Sequence, residues 1–490
     1  MSTPITAAHG RHRARRSRKR WIALVVAAVL LTVLGVGVAA TWRLQSNLDT
    51  SPLDLGDDPA PAQEGPLDIL VMGTDTREGE GNTEYGDEDD SDGLTDVMML
   101  LHISEDREDV SVVSFPRDLV ADIPRCTDPD TGRVHPPEED AMLNSAIENG
   151  GPGCTVAAIN EITGVGIDHF MLADFDAVKE LSATLGGVKV CVNEAVDDPK
   201  SGLELPAGVS TVQGEQALAF LRSRAAFGDG GDRSRIRSQQ LFLASLARKI
   251  KEEGTLADLP KLYQIAEVAS RNLHVDEELG SVPTMVGVAT ALRGIDLANM
   301  VFVTAPTEAY EPDPNRLQLA EDAAEELFEA LREDRPLTEP AEETAPATAS
   351  PPSPAPSSPP AVPEAPAIDP AGVPVAVTNA SGERGRGGEI ADLLEDEGYD
   401  VDERGAQRTE LPGTQVFFGA GWAEAAAQVA AVLGVPSSQI VPTTDTTGVI
   451  VSVGQDFTEG EQLDLEAVLP EGLHGQTAAQ FTCQEAAGDW

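Results

Sequence analysis

The sequence predicts an α/β protein: a mixed central sheet flanked by helices, then a second, smaller α/β domain, all preceded by one transmembrane helix. Three observations lead there. Short apolar runs stopped by Gly or Pro alternate with helix-length stretches from residue 66 to 337. Thr338 to about Pro370 is rich in Pro, Ala, Ser and Glu without periodicity, the composition of an extended linker, and a further strand–helix alternation follows it. Trp21 to Trp42 is uncharged, mostly aliphatic and long enough to span a bilayer, with Trp at both interfaces.

Charge sets the compartment. The 490 residues carry 34 Lys and Arg against 83 Asp and Glu, a net charge of −49. So acidic a chain repels nucleic acid, so no nucleic-acid partner is expected. Residues 1–20 are the exception: Arg11, Arg13, Arg15, Arg16, Arg18, Lys19 and Arg20 precede the first acidic residue, Asp49. Positive charge before the apolar span keeps that end cytoplasmic and puts everything after Trp42 outside the cell membrane. A cleaved signal peptide ending near Val38-Ala39-Ala40 is the alternative; the apolar stretch is long for one, which favours the anchor. Cys126, Cys154, Cys191 and Cys483 suit an oxidising exterior and lack zinc spacing. They allow three pairings, of which Cys126–Cys154 is preferred. The seven His residues form no metal or triad pattern.

Taken in order, residues 43–65 read as a polar tether. Asp68 to Gly73 is a buried strand that delivers Thr74, Asp75, Thr76 and Arg77 to its C-terminal end, where ligands sit in open α/β sheets. Val97 to Ile103 is a second strand, entered through Asp96, and Val110 to Phe115 a third, ending in Pro116-Arg117-Asp118. A helix at 155–163, a strand at 168–175, a helix at 176–185 and a strand at 188–192 follow. Helices at 255–272 and 283–293, a strand at 300–304 and a helix from Leu317 to Arg332 close the domain. Beyond the linker, 338–371, residues 372–458 hold strands at 373–377, 399–401 and 448–453 and helices at 386–398 and 422–433. Residues 459–490 read as an acidic tail. The linker implies that a cut within residues 347–359 frees the second domain from the first.

Gly214 to Gln240 concentrates arginines at 222, 224, 233, 235 and 237. A short helix to Leu221 releases Arg222 and Arg224 at its end. Gly228-Asp229-Gly230-Gly231 reads as a mobile loop. A second helix starts at Asp232 or Ser234, both good N-cap types, and runs to about Lys251. On it Asp232, Arg235 and Gln239 share a stripe that continues as Ile236, Leu243, Leu246, Ala247 and Ile250, so it faces the fold; Arg237 points away. Guanidinium forks beside a helix N-terminus suit phosphate oxygens, so the stretch reads as a phosphate or pyrophosphate clamp. A solvated, self-paired charge run is the bland alternative. As mutually repelling like charges, the arginines imply that Arg235→Ala costs the empty protein little stability.

DILVMGTDTR, LTDVMMLLHI, VVSFPRD, MLNSAIENGG, ITGVGIDHFMLADF, LGGV and GEQALAFLRSR followed by DRSRIRSQQ, in this order over residues 66–337, resemble the LytR-CpsA-Psr family of cell-envelope ligases. Residues 373–457 look like the accessory LytR C-terminal domain of some members. The resemblance implies a transferase that moves a glycopolymer from a polyprenyl-pyrophosphate carrier to peptidoglycan, at the muramic acid 6-hydroxyl, releasing polyprenyl phosphate. It also implies Mg²⁺, or Mn²⁺, at Asp75 and Asp96. Arg117, Arg222, Arg224 and Arg235, with Arg77, would bind pyrophosphate, and Asp232 and Gln239 would share that site. Asp75, Asp96, Arg117, Asp232 and Arg235 would carry the chemistry, with Asp232 or a neighbouring aspartate taking the proton of the attacking hydroxyl. Two departures stand out: Leu94 where the family usually has Arg, and Ser238 where it often has Arg. The polyprenyl chain requires an apolar channel between helices and sheet. A pyrophosphatase using water with the same clamp, and a non-catalytic envelope-binding protein, are the competing readings. The family's older label of transcriptional attenuator finds no helix-turn-helix signal here.

Overall fold

The computed structural model describes residues 21, 24, 31, 32, 35 and 37–53, then 65–74. It also describes 94–340 apart from 130, 229, 256 and 257, and 369–487 apart from 407–409, 445, 464–466, 471 and 472. The main elements begin with β1 (Asp49–Ser51), β2 (Leu67–Thr74), β3 (Thr95–Ile103), β4 (Val110–Phe115), α1 (Ala146–Thr163), β5 (His169–Ala173) and α2 (Phe175–Thr184). The hairpin β6 (Val188–Val192) and β7 (Gly208–Val212) leads to α3 (Glu215–Arg222), α4 (Asp232–Glu252), α5 (Leu259–Asn272), β8 (Leu273–Asp276), α6 (Val282–Gly294), β9 (Met300–Thr304) and α7 (Glu321–Arg332). After the linker come β10 (Pro374–Asn379), α8 (Arg386–Asp396), β11 (Asp400–Ala406), β12 (Gln415–Phe418), α9 (Ala423–Leu433), β13 (Ile440–Pro442), β14 (Val449–Val453) and β15 (Gly475–Thr477).

Among the described residues the main sheet has eight strands, ordered β1-β8-β5-β2-β3-β4-β9-β15. It is mixed, as expected: β2 pairs parallel with β5 and antiparallel with β3, β3 antiparallel with β4, and β4 parallel with β9. Period-two alternation sorts the side chains. Leu70, Met72, Met98, Leu100 and Val113 pack under α1 and α7, against Ile159, Leu327 and Phe328. Val71, Met99 and Val112 face the other way, toward Leu243 and Ala244 of α4 and Leu292 of α6. Helices therefore cover both faces of the sheet. The second domain builds its own five-stranded sheet, β11-β10-β14-β12-β13, with a core of Val375, Val377, Val451, Leu394 and Val429.

The structure departs from the sequence reading at short elements. The helix expected from Leu317 begins at Glu321, because Leu317–Leu319 pairs antiparallel with Thr307–Ala309 and the acidic Glu321 and Asp322 favour a helix start there. The helix expected from residue 155 begins at 146 and kinks at Gly150 and Gly151. A Cβ on Gly150 would lie 2.8 Å from Cys126 Cβ, so the close approach to the bridge requires glycine. The tether is part of the sheet, since β1 pairs with β8, itself absent from the sequence reading. The expected transmembrane span falls largely outside the described residues. Those described within it are helical, and among the described residues no helix is long and apolar enough to cross a membrane.

The largest correction concerns residues 459–490, read as an acidic tail. Within them Gly475–Thr477, β15, pairs antiparallel with β9 of the first domain and completes that edge of the sheet. Cys126 pairs with Cys154 as preferred, and Cys191 of β6 pairs with Cys483 beyond β15. The returning segment also binds the second domain, where Gln415 Nε2 donates to Phe481 O at 2.6 Å. The linker therefore does not leave two separable bodies.

Candidate active site

Because β3 runs antiparallel to β2 and β4, the end of β2 at Thr74, the start of β3 at Thr95-Asp96 and the end of β4 at Phe115 lie at one edge of the sheet. Arg117 follows two residues on. Above this edge α3 ends at Arg222, and the extended Ser223, its Oγ donating to Asp198 Oδ2 at 2.6 Å, turns the chain toward Arg224. Gly228 and Gly230 have φ of 49° and 75°, the left-handed backbone that turns the chain into α4. Helix α4 starts at Asp232, one residue past Gly231, which offers no side-chain cap. Its first N–H groups thus add positive potential to the site.

These elements converge on one carboxylate. Asp96 Oδ1 accepts from Arg117 Nη1 at 2.7 Å and Arg235 Nη1 at 3.2 Å, and Arg224 Nη2 stands 3.5 Å away. Arg235, 3% exposed, also donates through Nη2 to Asp96 O at 3.0 Å and pairs with Asp232 Oδ1 at 2.5 Å. The backbone N–H of Arg117 donates to Asp232 Oδ2 at 3.4 Å. Arg117 Nε lies 3.3 Å from Asp118 Oδ1 but outside hydrogen-bonding geometry; it and Arg235 Nε are buried donors without an acceptor among the described residues. Buried N–H groups are rarely left so, and an anion between the two forks would satisfy them.

The protonation balance follows. Burial alone would raise the Asp96 carboxyl, but Arg235, Arg117 and Arg224 outweigh it and hold Asp96 below the usual carboxylate range. For Asp232 burial prevails over Arg235, and Asp118 adds repulsion, so its carboxyl is pushed up. Burial and then the neighbouring Arg235 and Arg117 depress Arg224, the least comfortable cation of the group. One aspartate is thus a fixed anion and the other a better proton acceptor.

The cluster caps an apolar cavity of about 430 Å³ between sheet and helices. Val71, Met99, Phe175, Leu218, Phe242 and Leu246 line its body; Asp96, Arg222, Arg224, Arg235 and Gln239 line its mouth. A second apolar cavity of about 600 Å³ shares Val71, Met99, Leu243 and Leu246 with it and extends under α6. Arg222 stacks on Phe175, 4.5 Å from its centroid, and Gln239 Nε2 reaches Leu221 O at 3.5 Å.

Of the expected site residues, Asp96, Arg117, Arg224, Asp232 and Arg235 come together in one cluster, of which Asp96, Arg224 and Arg235 line the cavity together with Arg222 and Gln239; Asp75 and Arg77 lie outside the described residues. The described residues contain no ready-made metal cluster. Asp96 nevertheless fits one half of a magnesium site: an ionised hard-oxygen donor at the cavity mouth, where one or two carboxylates plus phosphate oxygens are the usual set. Ser238 donates to Ser234 O at 3.1 Å and does not reach the cluster. The loop expected to be mobile is pinned by the returning C-terminal segment, with Gly228 N donating to Glu485 O at 3.1 Å and Ala487 N to Ala226 O at 2.8 Å. Sequence reasoning missed Phe175, seen only as the end of a strand, and Gln240, whose Nε2 donates to Ser114 Oγ and Thr304 Oγ1, both at 3.1 Å, tying α4 to β4 and β9. A second amide on a core-facing helix was the available signal.

The profile of the LytR_cpsA_psr family matches residues 40–333, and that described as LytR cell envelope-related transcriptional attenuator matches residues 372–457. The cell wall biosynthesis protein LcpA of Corynebacterium glutamicum is 28% identical over 318 residues, 60% of this chain and 60% of its own length. The polyisoprenyl-teichoic acid–peptidoglycan teichoic acid transferase TagU of Oceanobacillus iheyensis is 24% identical over 286 residues, 56% of this chain and 82% of its own. The chain thus spans less than two thirds of the length of the first of these relatives. Among solved structures, the LytR-Csp2A-Psr enzyme from Actinomyces oris aligns with 56% of this chain and 96% of its own at a TM-score of 0.42 and 21% identity, too weak a likeness to carry weight.

Proposed function

The chain belongs to the LytR_cpsA_psr family, and on that premise we propose that it is a membrane-anchored phosphotransferase, acting outside the cell, that joins a glycopolymer to peptidoglycan. The donor would be a polyprenyl-pyrophosphate-linked glycan and the acceptor a muramic acid 6-hydroxyl. The acceptor oxygen forms a bond to the phosphorus nearer the glycan, the bridging P–O bond breaks, and polyprenyl phosphate departs. The carrying observation is the convergence of Arg117, Arg224 and Arg235 on Asp96 at the mouth of an apolar cavity. A lipid diphosphate has the same two halves. The apolar cavities would take the isoprenoid, and the guanidinium groups, with Arg222 and Arg77, the diphosphate, neutralising charge on the leaving phosphate. Asp232, pushed up by burial, would accept the hydroxyl proton. Asp96 with Asp75 would hold Mg²⁺, and the ion would supply further charge neutralisation.

A transfer assay tests this against hydrolysis. With a short-chain polyprenyl-pyrophosphate disaccharide and purified sacculi, polyprenyl phosphate release should depend on the sacculi and leave the disaccharide attached to them. Arg117→Ala should slow it roughly 100-fold, the scale of losing one fixed donor to a transition-state charge. Release undiminished without sacculi would make the protein a pyrophosphatase.

A further inference from the structure

Helix α4 carries a second polar stripe. Asp232, Arg235 and Gln239 face the site just described; Arg233, Arg237 and Gln240, spaced i, i+4, i+7, border a separate cavity of about 540 Å³. Its other walls come from three places: the chain leaving β9 at Thr304 to Thr307, Ser437 and Ser438 of the second domain, and the returning segment at residues 473–476. It lies at the same edge of the sheet as the arginine cluster, because Ser114 and Thr304 are register partners and Gln240 binds both. The cavity is therefore a cleft between the two domains, one helix face away from Asp232.

Its lining is unusual for this chain. Two guanidinium groups, the His474 imidazole, two amides and several hydroxyls meet there, and none of the described lining residues is acidic. Arg233 Nη2 donates to Thr307 O at 2.9 Å and Arg237 Nη2 to Ser438 O at 3.3 Å, so both forks are held in place. Gln476 is 4% exposed; its Oε1 accepts from Thr482 Oγ at 2.6 Å, while its Nε2 has no acceptor among the described residues. A buried amide donor left unpaired on a residue lining a polar cleft is available to an acceptor bound there. The volume lies within the range of about 300–1,000 Å³ typical of ligand pockets, room for a short oligosaccharide rather than a folded partner.

We propose that this interdomain cleft is the acceptor subsite, holding an N-acetylated glycan strand that bears carboxylates. This rests on the transferase reading above. In-line displacement brings the attacking hydroxyl to the side opposite the leaving group. The cleft meets the arginine cluster at the N-terminal end of α4, where Arg233 of the cleft follows Asp232 of the cluster, so an acceptor strand lying in it can bring a hydroxyl round that end to the phosphorus. Arginine forks match sugar carboxylates, and amides and hydroxyls match acetamido and hydroxyl groups. The second domain, through Ser437 and Ser438, is then a wall of the substrate site.

The test uses the full chain in detergent micelles and measures, by calorimetry, binding of a β-1,4-linked N-acetylglucosamine–N-acetylmuramic acid tetrasaccharide against the neutral tetramer of N-acetylglucosamine. The acidic tetrasaccharide should bind more tightly. Arg233→Ala, on an exposed side chain, should weaken its binding about tenfold, the scale of one charge-assisted hydrogen bond. Arg237→Gln should do the same, but it also loosens the contact to Ser438, so Arg233→Ala is the deciding variant. The thermal shift caused by geranyl pyrophosphate on the same samples reads the donor site independently. With that shift intact, no binding, no preference for the acidic sugar, or equal affinity in wild type and Arg233→Ala overturns the cleft assignment. Absence of the shift in wild type overturns the transferase reading beneath it.

Discussion

Arg235 and Arg224 share a carboxylate, yet their removal should have opposite effects. Sequence alone suggested that Arg235→Ala would relieve repulsion and cost little. The structure reverses this, because Arg235 is buried between Asp96 and Asp232 and binds both. Its loss takes from buried Asp232 its closest ion-pair partner, while Asp96 keeps Arg117 and Arg224, and should destabilise the empty protein by roughly 3 kcal/mol, read as a lower urea midpoint. Arg224 is depressed by burial and then by Arg235 and Arg117. Arg224→Gln should therefore hold or raise the midpoint while shrinking the thermal shift produced by geranyl pyrophosphate. Equal destabilisation by both variants would show that Arg224 is a structural partner of Asp96 and not a strained cation awaiting an anion. The arginines themselves were legible in the sequence, since five in so acidic a chain stand out. Their partners were not: the convergence on Asp96 depends on strands far apart in the chain.

At the level of elements, the join between β2 and β5 contains a pH-sensitive pair. Asp168 N donates to Asp68 O at 2.9 Å, and Asp68 N donates to Asp168 Oδ2 at 2.8 Å. Burial, ahead of that hydrogen bond, pushes the Asp168 carboxyl from 3.8 to about 6. A folded-state value above the unfolded one means the contribution is complete below 3.8 and is lost as pH rises through about 6. Asp168→Asn keeps the acceptor without the charge. It should melt at the wild-type temperature near pH 3.5 and above it at pH 7; parallel curves across that range would assign the pH dependence elsewhere. Legibility divides along similar lines. Strands β2, β3 and β4 and helix α4 announce themselves through long apolar patterns that each element largely carries alone. Asp49–Ser51, Leu273–Asp276 and Gly475–Thr477 are too short to show a period, and they are strands only because an edge accepts them. The residues at the cavity mouth could be picked out from their motifs, whereas the cleft on the other side of α4 needed the fold.

For the molecule as a whole, the bridge between Cys191 and Cys483 changes what the linker can do. Cutting within residues 347–359 would free the second domain if the linker were the sole connection. With the bridge and the β9–β15 pairing, the two pieces should stay together on gel filtration and run as one band without reductant, separating only when reduced and denatured. Two bands without reductant would mean that the bridge does not form. The same bridge secures the segment that holds Ala226 and Gly228 beside the arginines.

That closing strand also sets an order of events during synthesis. Chains emerge N-terminus first, and β9 is complete some 170 residues before its partner β15 exists. Until then its outer edge offers free N–H and C=O groups to any passing strand. The nascent protein is therefore exposed along this edge from the completion of β9 until residues 475–477 emerge. Residues 475–487 close the edge, join the second domain to the first and hold the arginine loop together, so a chain lacking them would lose far more than their length suggests.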